Sequence, residues 1–413
     1  MTMRTTTAFW TLATILMALL FASAVPSPLY VVYQDEWGFS SITLTSVFAV
    51  YAIALLAALL VFGSISDHIG RRPTLIAALA LEIVAMAAFA GAEGVGWLFA
   101  ARTLQGIATG TAMGAISAAL LDLQPSNRPA LGALMGAVSP LSGLALGALA
   151  AGLLVDYGPD PTRFVFWLLI AGFVVALLAV FAIPETVVRD GRWRSSLRPQ
   201  VAVPPEMKNA FVAAVPSLAA SWALGGLILS LGASLTAGVL GESSHLAGGL
   251  PIFVMAGISA LASIGLRGVA PRKTARGGLL ALIAGVAVCL AALAAESSAL
   301  FLVGGAIAGL GFGPAFAGVF RSLSLRAPAD GRAALLSAVY VVSYLAFSVP
   351  AIIAGAAVTQ LGLRDTAEIY GLALIAIAVV ALALSANLDE PEPEPDAPAP
   401  APIGPPATEA AGD

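Results

Sequence analysis

The chain alternates long apolar runs with short segments that carry charges, glycines or prolines. About 20 apolar residues in a helix cross the roughly 30 Å of hydrocarbon in a bilayer, and each run is long enough for one crossing. The runs predict twelve helices, numbered 1 to 12 in chain order, near residues 8–32, 41–62, 74–92, 97–121, 129–154, 163–183, 210–235, 246–266, 277–295, 298–321, 333–359 and 366–387. The expected fold class is therefore an all-α membrane protein with twelve transmembrane helices.

Composition excludes several classes of protein, and so does the scarcity of cysteine and histidine. Of the 413 residues, 59% are hydrophobic and 10% are charged, and the mean hydropathy is +0.96. Soluble domains carry about 25% charged residues, so a soluble globular enzyme is excluded. The single cysteine, Cys289, excludes a disulfide within the chain and a cysteine-based metal cluster. His68 and His245 fall in predicted loops and not inside the helices, where a haem between helices would be ligated.

Nucleotide-driven transport is also excluded, because the Lys273-Thr274 pair lacks the glycine that precedes it in a phosphate-binding loop. We therefore expect no enzyme activity, no cofactor, no metal and no nucleic-acid partner.

Basic residues predict the orientation of the chain. With a cytoplasmic N-terminus, the inner loops hold 16 of the 19 bases, the outer loops hold Arg163 and Arg364, and Arg102 lies inside helix 4. The positive-inside rule then places both termini in the cytoplasm. Residues 389–413 contain seven acids, no base and eight prolines, a composition that predicts a disordered tail.

The two halves of the chain resemble each other. Gly106 and Gly110 correspond, at an offset of 203 residues, to Gly309 and Gly313. A transporter built by duplication has such halves, with its binding site between them near the middle of the membrane. The predicted division is a six-helix bundle over 1–183, a cytoplasmic linker loop over 184–209, a second six-helix bundle over 210–387 and a disordered acidic tail over 388–413.

The loop after helix 2 reads GSISDHIGRRPT and begins at Gly63. Gly63 and Gly70 permit a tight reversal of the chain. Asp67 can accept hydrogen bonds from amides at the start of a facing helix, and Arg71 can pair with an acid at a neighbouring helix end. With Arg72 beside it, ordinary positive-inside anchoring is the alternative explanation. The order of residue types resembles the signature loop between helices 2 and 3 of the major facilitator superfamily.

This resemblance covers about residues 8–387 and implies the fold of that family, two pseudo-symmetric bundles that expose a central site alternately to each face. In the family, the acid and the arginine of this loop latch the bundles together on the cytoplasmic side, with an acid at the inner end of helix 4. Asp122 stands at that position here. The equivalent loop of the second half, LRGVAPRKTARG, has the bases but no acid, so the resemblance implies the first latch alone.

Helix 4 contains ARTLQGIATGTAMG, which resembles a second motif of the family. Arg102, Gln105 and Thr109 share one helical face, and Gly106 and Gly110 form a stripe suited to close helix packing. The family's arginine takes part in proton coupling or in the electrostatics of the cavity. Alternatively, Arg102 lies close enough to the outer edge of the helix for its guanidinium to reach the membrane surface.

Glu82, in helix 3, is the only acid well inside a predicted crossing. An ionised carboxylate there costs roughly 2.5 to 3.5 kcal/mol, so we expect it to be protonated or paired. One interpretation is a proton carrier, and the other is a neutral side chain hydrogen-bonded to a neighbouring helix. Helix 1, where many proton-coupled exporters of the family carry an acid, has none before Asp35.

Helix 5 contains GLALGALAAG, which is similar to a motif of the family's antiporters. Its Gly143, Gly147 and Gly152 either form a packing seam or indicate an exporter. The sequence Pro184-Glu185-Thr186 at the end of helix 6 resembles a common ending of that helix in the family and is expected to cap it. The remaining candidates for a substrate cavity are polar or aromatic residues of helices 1, 7 and 11, namely Ser23, Ser27, Tyr30, Ser217, Ser221, Trp222, Ser343 and Tyr344.

Charged groups are scarce in the expected cavity, so a neutral, amphipathic or singly charged organic substrate fits better than a multiply charged one. The resemblance implies proton-coupled efflux of such a molecule by alternating access, and we expect a monomer in a bacterial inner membrane. Two alternatives stay open. One is a proton symporter or facilitator for uptake, and the other is a non-transporting membrane receptor or scaffold that docks partners on the acidic tail.

Overall fold

The computed structural model describes residues 3–128, 130–189 and 193–385. Within this part the chain is helical and contains no strand, which confirms the predicted all-α fold class. The predicted tail, 388–413, lies outside the described residues.

Twelve long helices make up the described part of the chain. Helix 1 spans Thr5–Trp37 and has a break at Val25. Helices 2 to 12 are Ser41–Phe62, Arg71–Ala90, Val95–Asp122, Leu131–Tyr157, Phe164–Val180, Lys208–Gly238, His245–Gly265, Pro271–Ala294, Ser298–Arg326, Arg332–Leu361 and Leu363–Leu384. Eleven of the twelve are long and apolar enough to cross a membrane, and helix 6 is apolar but has 17 residues. At 1.5 Å per residue helix 6 measures about 25 Å, slightly less than the hydrocarbon thickness.

Helix 1 breaks where two prolines stand close together. Pro26 and Pro28 have no amide hydrogen, so two carbonyls in the preceding turn lose their helical donors. The chain resumes as a second segment, Pro26–Trp37, and stops at Gly38, whose φ of 64° lies in the left-handed region that glycine adopts without strain. The predicted end near residue 32 was wrong because polar residues such as Gln34 continue this helix toward the surface.

Helix 3 begins at Arg71, three residues before its predicted start at 74. Pro73 interrupted the apolar pattern in the sequence, but it lies in the first turn, where no amide donor is needed. The linker between the halves contains a four-residue helix, Trp193–Ser196, and a 3-10 turn, Pro205–Met207, which leads directly into helix 7.

The helices alternate in direction, so the molecule has two faces. The N-terminal face carries the start of helix 1, the loop between helices 2 and 3, and the linker. The opposite face carries the loops between helices 1 and 2, 5 and 6, and 7 and 8.

Glycines bring helix 4 into backbone contact with helix 2. A side chain at Gly106 would meet the carbonyl oxygen of Tyr51, and one at Gly110 would meet that of Leu55. One turn further, helix 4 packs against the backbone of Gly63, at the end of helix 2. The stripe predicted from the sequence therefore lies in a seam between these two helices.

Helix 5 takes part in two seams of this kind. Gly143 and Gly147 lie against the backbone of helix 1 around Phe21, and Gly152 lies against the backbone of helix 8 at His245. The first seam is within one half of the chain, whereas the second joins the two halves.

Contacts between the two halves run mainly along two helix pairs, 5 with 8 and 2 with 11. In the second pair, Gly355 of helix 11 packs against Thr45, and the rings of Phe48 and Phe347 lie 5.0 Å apart. The contacts at Gly152, Thr45 and Gly355 lie within about two turns of the helix ends at the opposite face. The division into two bundles that move as units stays a prediction.

Candidate functional site

A buried charge network links helices 1, 3 and 4. Arg102 is fully buried, and its Nε donates a 2.6 Å hydrogen bond to the Tyr30 hydroxyl. Its Nη1 donates to the Ser23 carbonyl at 2.9 Å and to Gln105 Oε1 at 2.8 Å. The amide of Gln105 in turn donates to Glu82 Oε1 at 3.3 Å. These bonds give the guanidinium the partners that a charge in hydrocarbon requires.

The break in helix 1 positions two partners of Arg102. Ser23 and Tyr30 lie on opposite sides of Val25, where the chain turns. The carbonyl of Ser23 belongs to the turn in which Pro26 disturbs the regular hydrogen bonds. Both partners of Arg102 on helix 1 therefore lie within five residues of this break.

Aromatic rings surround the guanidinium. The Arg102 Cζ atom lies 5.1 Å from the ring centroid of Tyr51, 5.5 Å from that of Tyr30 and 5.8 Å from that of Phe89. Cation–π contacts contribute about 2 kcal/mol when the charge is desolvated. Arg102 is therefore held in the interior and does not extend to the membrane surface.

Several polar atoms of this network make no hydrogen bond within the described residues. They are Arg102 Nη2, Glu82 Oε2, the Tyr51 hydroxyl and the Thr109 hydroxyl, which lies one turn beyond Gln105. Leaving a buried polar atom unpaired costs about 1 to 3 kcal/mol. The network thus offers donors and acceptors that a proton, water or a polar substrate group can use.

A second cluster, which we name the aromatic cluster, lies in the other half of the chain. Trp222 of helix 7 lies 4.7 Å from Tyr344 and 5.9 Å from Phe347 of helix 11, measured between ring centroids. Phe316 of helix 10 lies 5.5 Å from the same indole. Phe347 also contacts Phe48 of helix 2, so the aromatic cluster reaches the boundary between the halves.

Buried hydroxyls accompany the aromatic cluster. Ser217, Ser221 and Ser343 lie on the two helices that carry Trp222 and Tyr344, and their hydroxyls have no hydrogen-bond partner among the described residues. Of the residues predicted for the substrate cavity, the structure thus brings Tyr30 together with Arg102 of helix 4. It places Ser221, Trp222 and Tyr344 in the other half.

At the N-terminal face, the loop after helix 2 forms an ion-pair cluster. Arg71 Nη1 donates to the Asp67 carboxylate, and its Nε donates to Asp122 Oδ2 at 3.4 Å. The Thr186 hydroxyl donates to the same Asp122 oxygen at 2.8 Å. Asp67 was expected to accept bonds from the start of a facing helix, but the structure pairs it with the side chain of Arg71, four residues later at the start of helix 3.

Glu185 caps helix 3, so its predicted role as a cap of helix 6 was wrong. Its Oε1 accepts a 2.8 Å hydrogen bond from the Arg71 amide, and its Oε2 accepts one of 3.1 Å from the Arg72 amide. The first amides of a helix have no partner within the helix, and a negative charge there is stabilised by the helix dipole. Gly70 has a φ of 104°, and a side chain at this position would overlap the Glu185 carboxylate.

A carboxylate joins the two halves at the opposite face. Asp156, near the end of helix 5, accepts hydrogen bonds from the Ser244 hydroxyl at 2.6 Å and from the Leu246 amide at 3.0 Å. It also accepts one from the His245 amide at 3.0 Å, and the His245 ring nitrogen Nδ1 lies 2.9 Å from its Oδ1. We name these four residues the opposite-face clasp. One side chain on helix 5 thus caps the start of helix 8.

Sequence reasoning missed Tyr51 and Asp156. The hydroxyl of Tyr51 in the middle of apolar helix 2 was a signal, but a tyrosine there also packs as an apolar ring. Asp156 lies within one turn of a helix end, where an acid usually faces water. The signal was the Ser244-His245 start of helix 8, whose partner comes from a distant part of the chain.

Comparison with known protein families shows which family the chain belongs to. A family model described as Major Facilitator Superfamily matches residues 11–349, which is more than half of the chain. The chain belongs to the major facilitator superfamily. Together with its membrane-spanning helices, this makes it a multi-pass membrane protein.

A shorter segment resembles a fungal protein of the same superfamily. It is 29% identical over 153 residues to the MFS-type transporter paaT of Penicillium rubens. The alignment covers 37% of this chain and 28% of the relative. Because the chain spans less than a third of the fungal protein's length, this similarity supports the family and does not transfer a substrate.

Proposed function

We propose that the protein is a proton-coupled exporter of a small neutral or amphipathic organic molecule and works by alternating access. The observation that carries this proposal is the buried chain Glu82–Gln105–Arg102–Tyr30, which crosses helices 3, 4 and 1. In this series of hydrogen bonds the titratable carboxyl group of Glu82 is connected to the permanent positive charge of Arg102 through a single amide, that of Gln105.

A change in the protonation of Glu82 alters the net charge of this hydrogen-bonded series. When Glu82 is ionised, its negative charge offsets that of Arg102, and the Gln105 amide links them. When Glu82 is protonated, its Oε2, which otherwise is an unpaired acceptor for a donor group of the substrate, carries the proton, so proton and substrate compete for one carboxyl group. Proton and substrate then stabilise different states of the same helices, which is the requirement for coupling.

The aromatic cluster supports the substrate class. Trp222, Phe316 and Phe347 present apolar ring surface, and the hydroxyl of Ser221 offers one hydrogen bond nearby. Binding sites for small molecules combine such apolar surface with a few polar groups. We expect a molecule that has a polar end for the buried charge network and an apolar end for the aromatic cluster.

The seams of helix 5 support export over uptake. Gly147 and Gly152 connect helix 1 of one half with helix 8 of the other, and their sequence is similar to the antiporter-associated motif. We further propose that Asp67, Arg71 and Asp122 exchange partners when the N-terminal face closes. The charge asymmetry supports a cytoplasmic N-terminal face in a bacterial inner membrane, and we propose that the transporter acts as a monomer.

Proteoliposomes with an acidic lumen test the proposal. The probes are fluorescent amphipathic dyes, namely ethidium, rhodamine 6G and Hoechst 33342. An exporter of the proposed kind accumulates at least one dye against its gradient while lumenal protons leave, as a trapped pH indicator reports. Glu82→Gln should abolish accumulation but keep downhill exchange of the dye, because the variant still binds substrate but carries no proton.

The matched control is Glu93→Gln, which removes an exposed acid from the loop after helix 3 and should leave accumulation unchanged. Dye movement equal to that of empty liposomes for all three probes contradicts the proposed substrate class. Proton entry together with substrate entry favours the alternative of a symporter for uptake. Normal accumulation in Glu82→Gln contradicts the coupling role of Glu82.

A further inference from the structure

A groove opens on the membrane-facing side of the first half, between helices 1 and 6. Its volume is about 670 Å³, within the range of roughly 300 to 1,000 Å³ that is typical of small-molecule sites. Helix 1 contributes Thr7, Thr11, Thr14 and Ala18 to its wall, and helix 6 contributes Gly172 and Ala176. A side chain added at Gly172 would meet no atom within 4 Å, so the glycine leaves this space open.

The lining is apolar although it contains threonines. The hydroxyl of Thr11 donates to the Thr7 carbonyl at 2.9 Å, and that of Thr14 donates to the Trp10 carbonyl at 2.9 Å. Both hydroxyls are thus used within helix 1, and most of the remaining lining residues carry apolar side chains. Such a wall suits a hydrocarbon chain.

The described helices of the second half pack differently at the corresponding place. Helices 7 and 12, which correspond to helices 1 and 6, pack directly against each other, and the Tyr370 hydroxyl donates a 2.8 Å hydrogen bond to the Ala223 carbonyl between them. Helices 1 and 6 are joined near the N-terminal face, where the Met3 amide donates to the Ala182 carbonyl at 2.8 Å, and they diverge beyond it. The two helix pairs therefore differ in how closely they pack.

The length of the groove matches one leaflet of a bilayer. Thr7 and Ala18 are eleven residues apart on helix 1, which corresponds to about 16 Å of helix, and half of the hydrocarbon thickness is about 15 Å. Arg4 is exposed at the end of the groove that lies at the N-terminal face. It is the N-cap residue of helix 1, has an extended backbone and stands three residues before Thr7.

We propose that this groove binds one phospholipid, with an acyl chain between helices 1 and 6 and the phosphate on Arg4. The apolar wall excludes water and holds the chain, whereas the single positive charge at the membrane surface selects an anionic headgroup. The site faces the bilayer and not the boundary between the halves, so it is distinct from the proposed substrate site. The bound lipid fills the space that direct helix packing fills in the second half.

Native mass spectrometry of the full-length protein tests this proposal. The purified protein is titrated in detergent with palmitoyl-oleoyl phosphatidylglycerol, and separately with palmitoyl-oleoyl phosphatidylcholine. Wild type should retain one phosphatidylglycerol, with an affinity several-fold above that for phosphatidylcholine. Gly172→Trp should lower this affinity at least tenfold because the indole occupies the groove, and Ala176→Phe should act in the same direction.

Leu178→Trp is the matched control, since Leu178 is 64% exposed on the same helix and does not line the groove. This variant should bind lipid as wild type does, and thermal unfolding of all variants shows that they remain folded. Arg4→Gln should remove the preference for phosphatidylglycerol but keep one bound lipid. Unchanged lipid binding in both filled variants overturns the proposal, as does a dimer that disappears when the groove is filled. Equal binding of the two lipids by wild type overturns the role of Arg4.

Discussion

Arg102 Nε donates a 2.6 Å hydrogen bond to the Tyr30 hydroxyl, and this bond ties helix 4 to the second segment of helix 1 just beyond its break. The same guanidinium reaches Ser23 on the other side of the break. Helix 1 therefore cannot straighten or shift along helix 4 without changing the partners of a buried charge. A movement of helix 1 along helix 4 would therefore break at least one of these two hydrogen bonds.

Arg102→Ala should destabilise the protein strongly. Removing one partner of a buried charged network costs about 3 to 5 kcal/mol because the other groups stay buried without compensation. The second change, Glu82→Gln, removes the remaining charge, so the double variant should recover part of the loss, with a coupling of about 0.5 to 3 kcal/mol. Thermal unfolding in detergent of wild type, both single variants and the double variant measures this coupling.

If the losses of unfolding free energy in the two single variants simply add in the double variant, Arg102 and Glu82 are not coupled through the network. Tyr30→Phe is the milder comparison, because it removes a single hydroxyl and keeps the ring 5.5 Å from the guanidinium. Its cost should lie near the roughly 1.5 to 3 kcal/mol typical of a hydrogen bond to a charged group.

Gly147→Val should destabilise the contact between helices 5 and 1. The added side chain would overlap the carbonyl oxygen of Phe21, which is backbone and cannot move aside easily. Overpacking of this kind costs about 1 to 3 kcal/mol. Gly136→Val on the same helix is the matched control, since its added side chain meets no atom within 4 Å. Equal unfolding temperatures of the two variants would show that the seam does not require glycine.

Glu185→Ala should loosen the start of helix 3. The change leaves the amides of Arg71 and Arg72 without their acceptor, and loss of a helix cap costs about 0.5 to 2 kcal/mol. Hydrogen exchange of these two amides should become faster, whereas exposed Glu206→Ala should not affect them. Unchanged exchange in Glu185→Ala would mean that another group takes over the cap.

Asp156→Ala should favour opening of the opposite face. The variant removes the acceptor that holds the start of helix 8 to helix 5, and each 1.4 kcal/mol lost changes the ratio of open to closed molecules about tenfold. Thr45→Cys in a Cys289→Ser background reports the change, because Thr45 is buried against Gly355 between the halves. Its reaction with a membrane-impermeant maleimide should become faster by at least several-fold.

Asp160→Ala is the control for this experiment. The hydrogen bonds that Asp160 accepts come from Thr162 and Arg163 in its own loop, so its loss should not alter labelling of the cysteine. Equal labelling rates in both aspartate variants would show that the opposite-face clasp does not keep the halves closed.

The sequence was sufficient for the fold because apolar run length decides membrane crossing directly. Each crossing needs a minimum length of hydrocarbon-compatible helix, and no tertiary information enters that requirement. Helix ends were less predictable. Helix 1 continues past the polar residue Gln34, and helix 3 begins before Pro73. The position of a helix end depends on local capping and not on the hydrophobicity of the run.

The site was predictable in its residues but not in its connections. Arg102 and Glu82 stand out as charges within apolar runs, and Gln105 shares a helical face with Arg102. That Gln105 bridges the two charges depends on how helix 3 is rotated against helix 4, which the sequence pattern does not specify. Glu185 is the clearest case, since its partners lie 113 and 114 residues earlier in the chain.

Distances between the two halves at both faces test alternating access most directly. Spin labels at Asp35 and Ser243 report the opposite face, and labels at Arg128 and Arg267 report the N-terminal face, all on exposed residues in a Cys289→Ser background. When a pH change or a transported dye shifts the ratio of outward-open to inward-open molecules, we expect one distance to lengthen while the other shortens. Two distances that stay fixed, or that lengthen together, would contradict it.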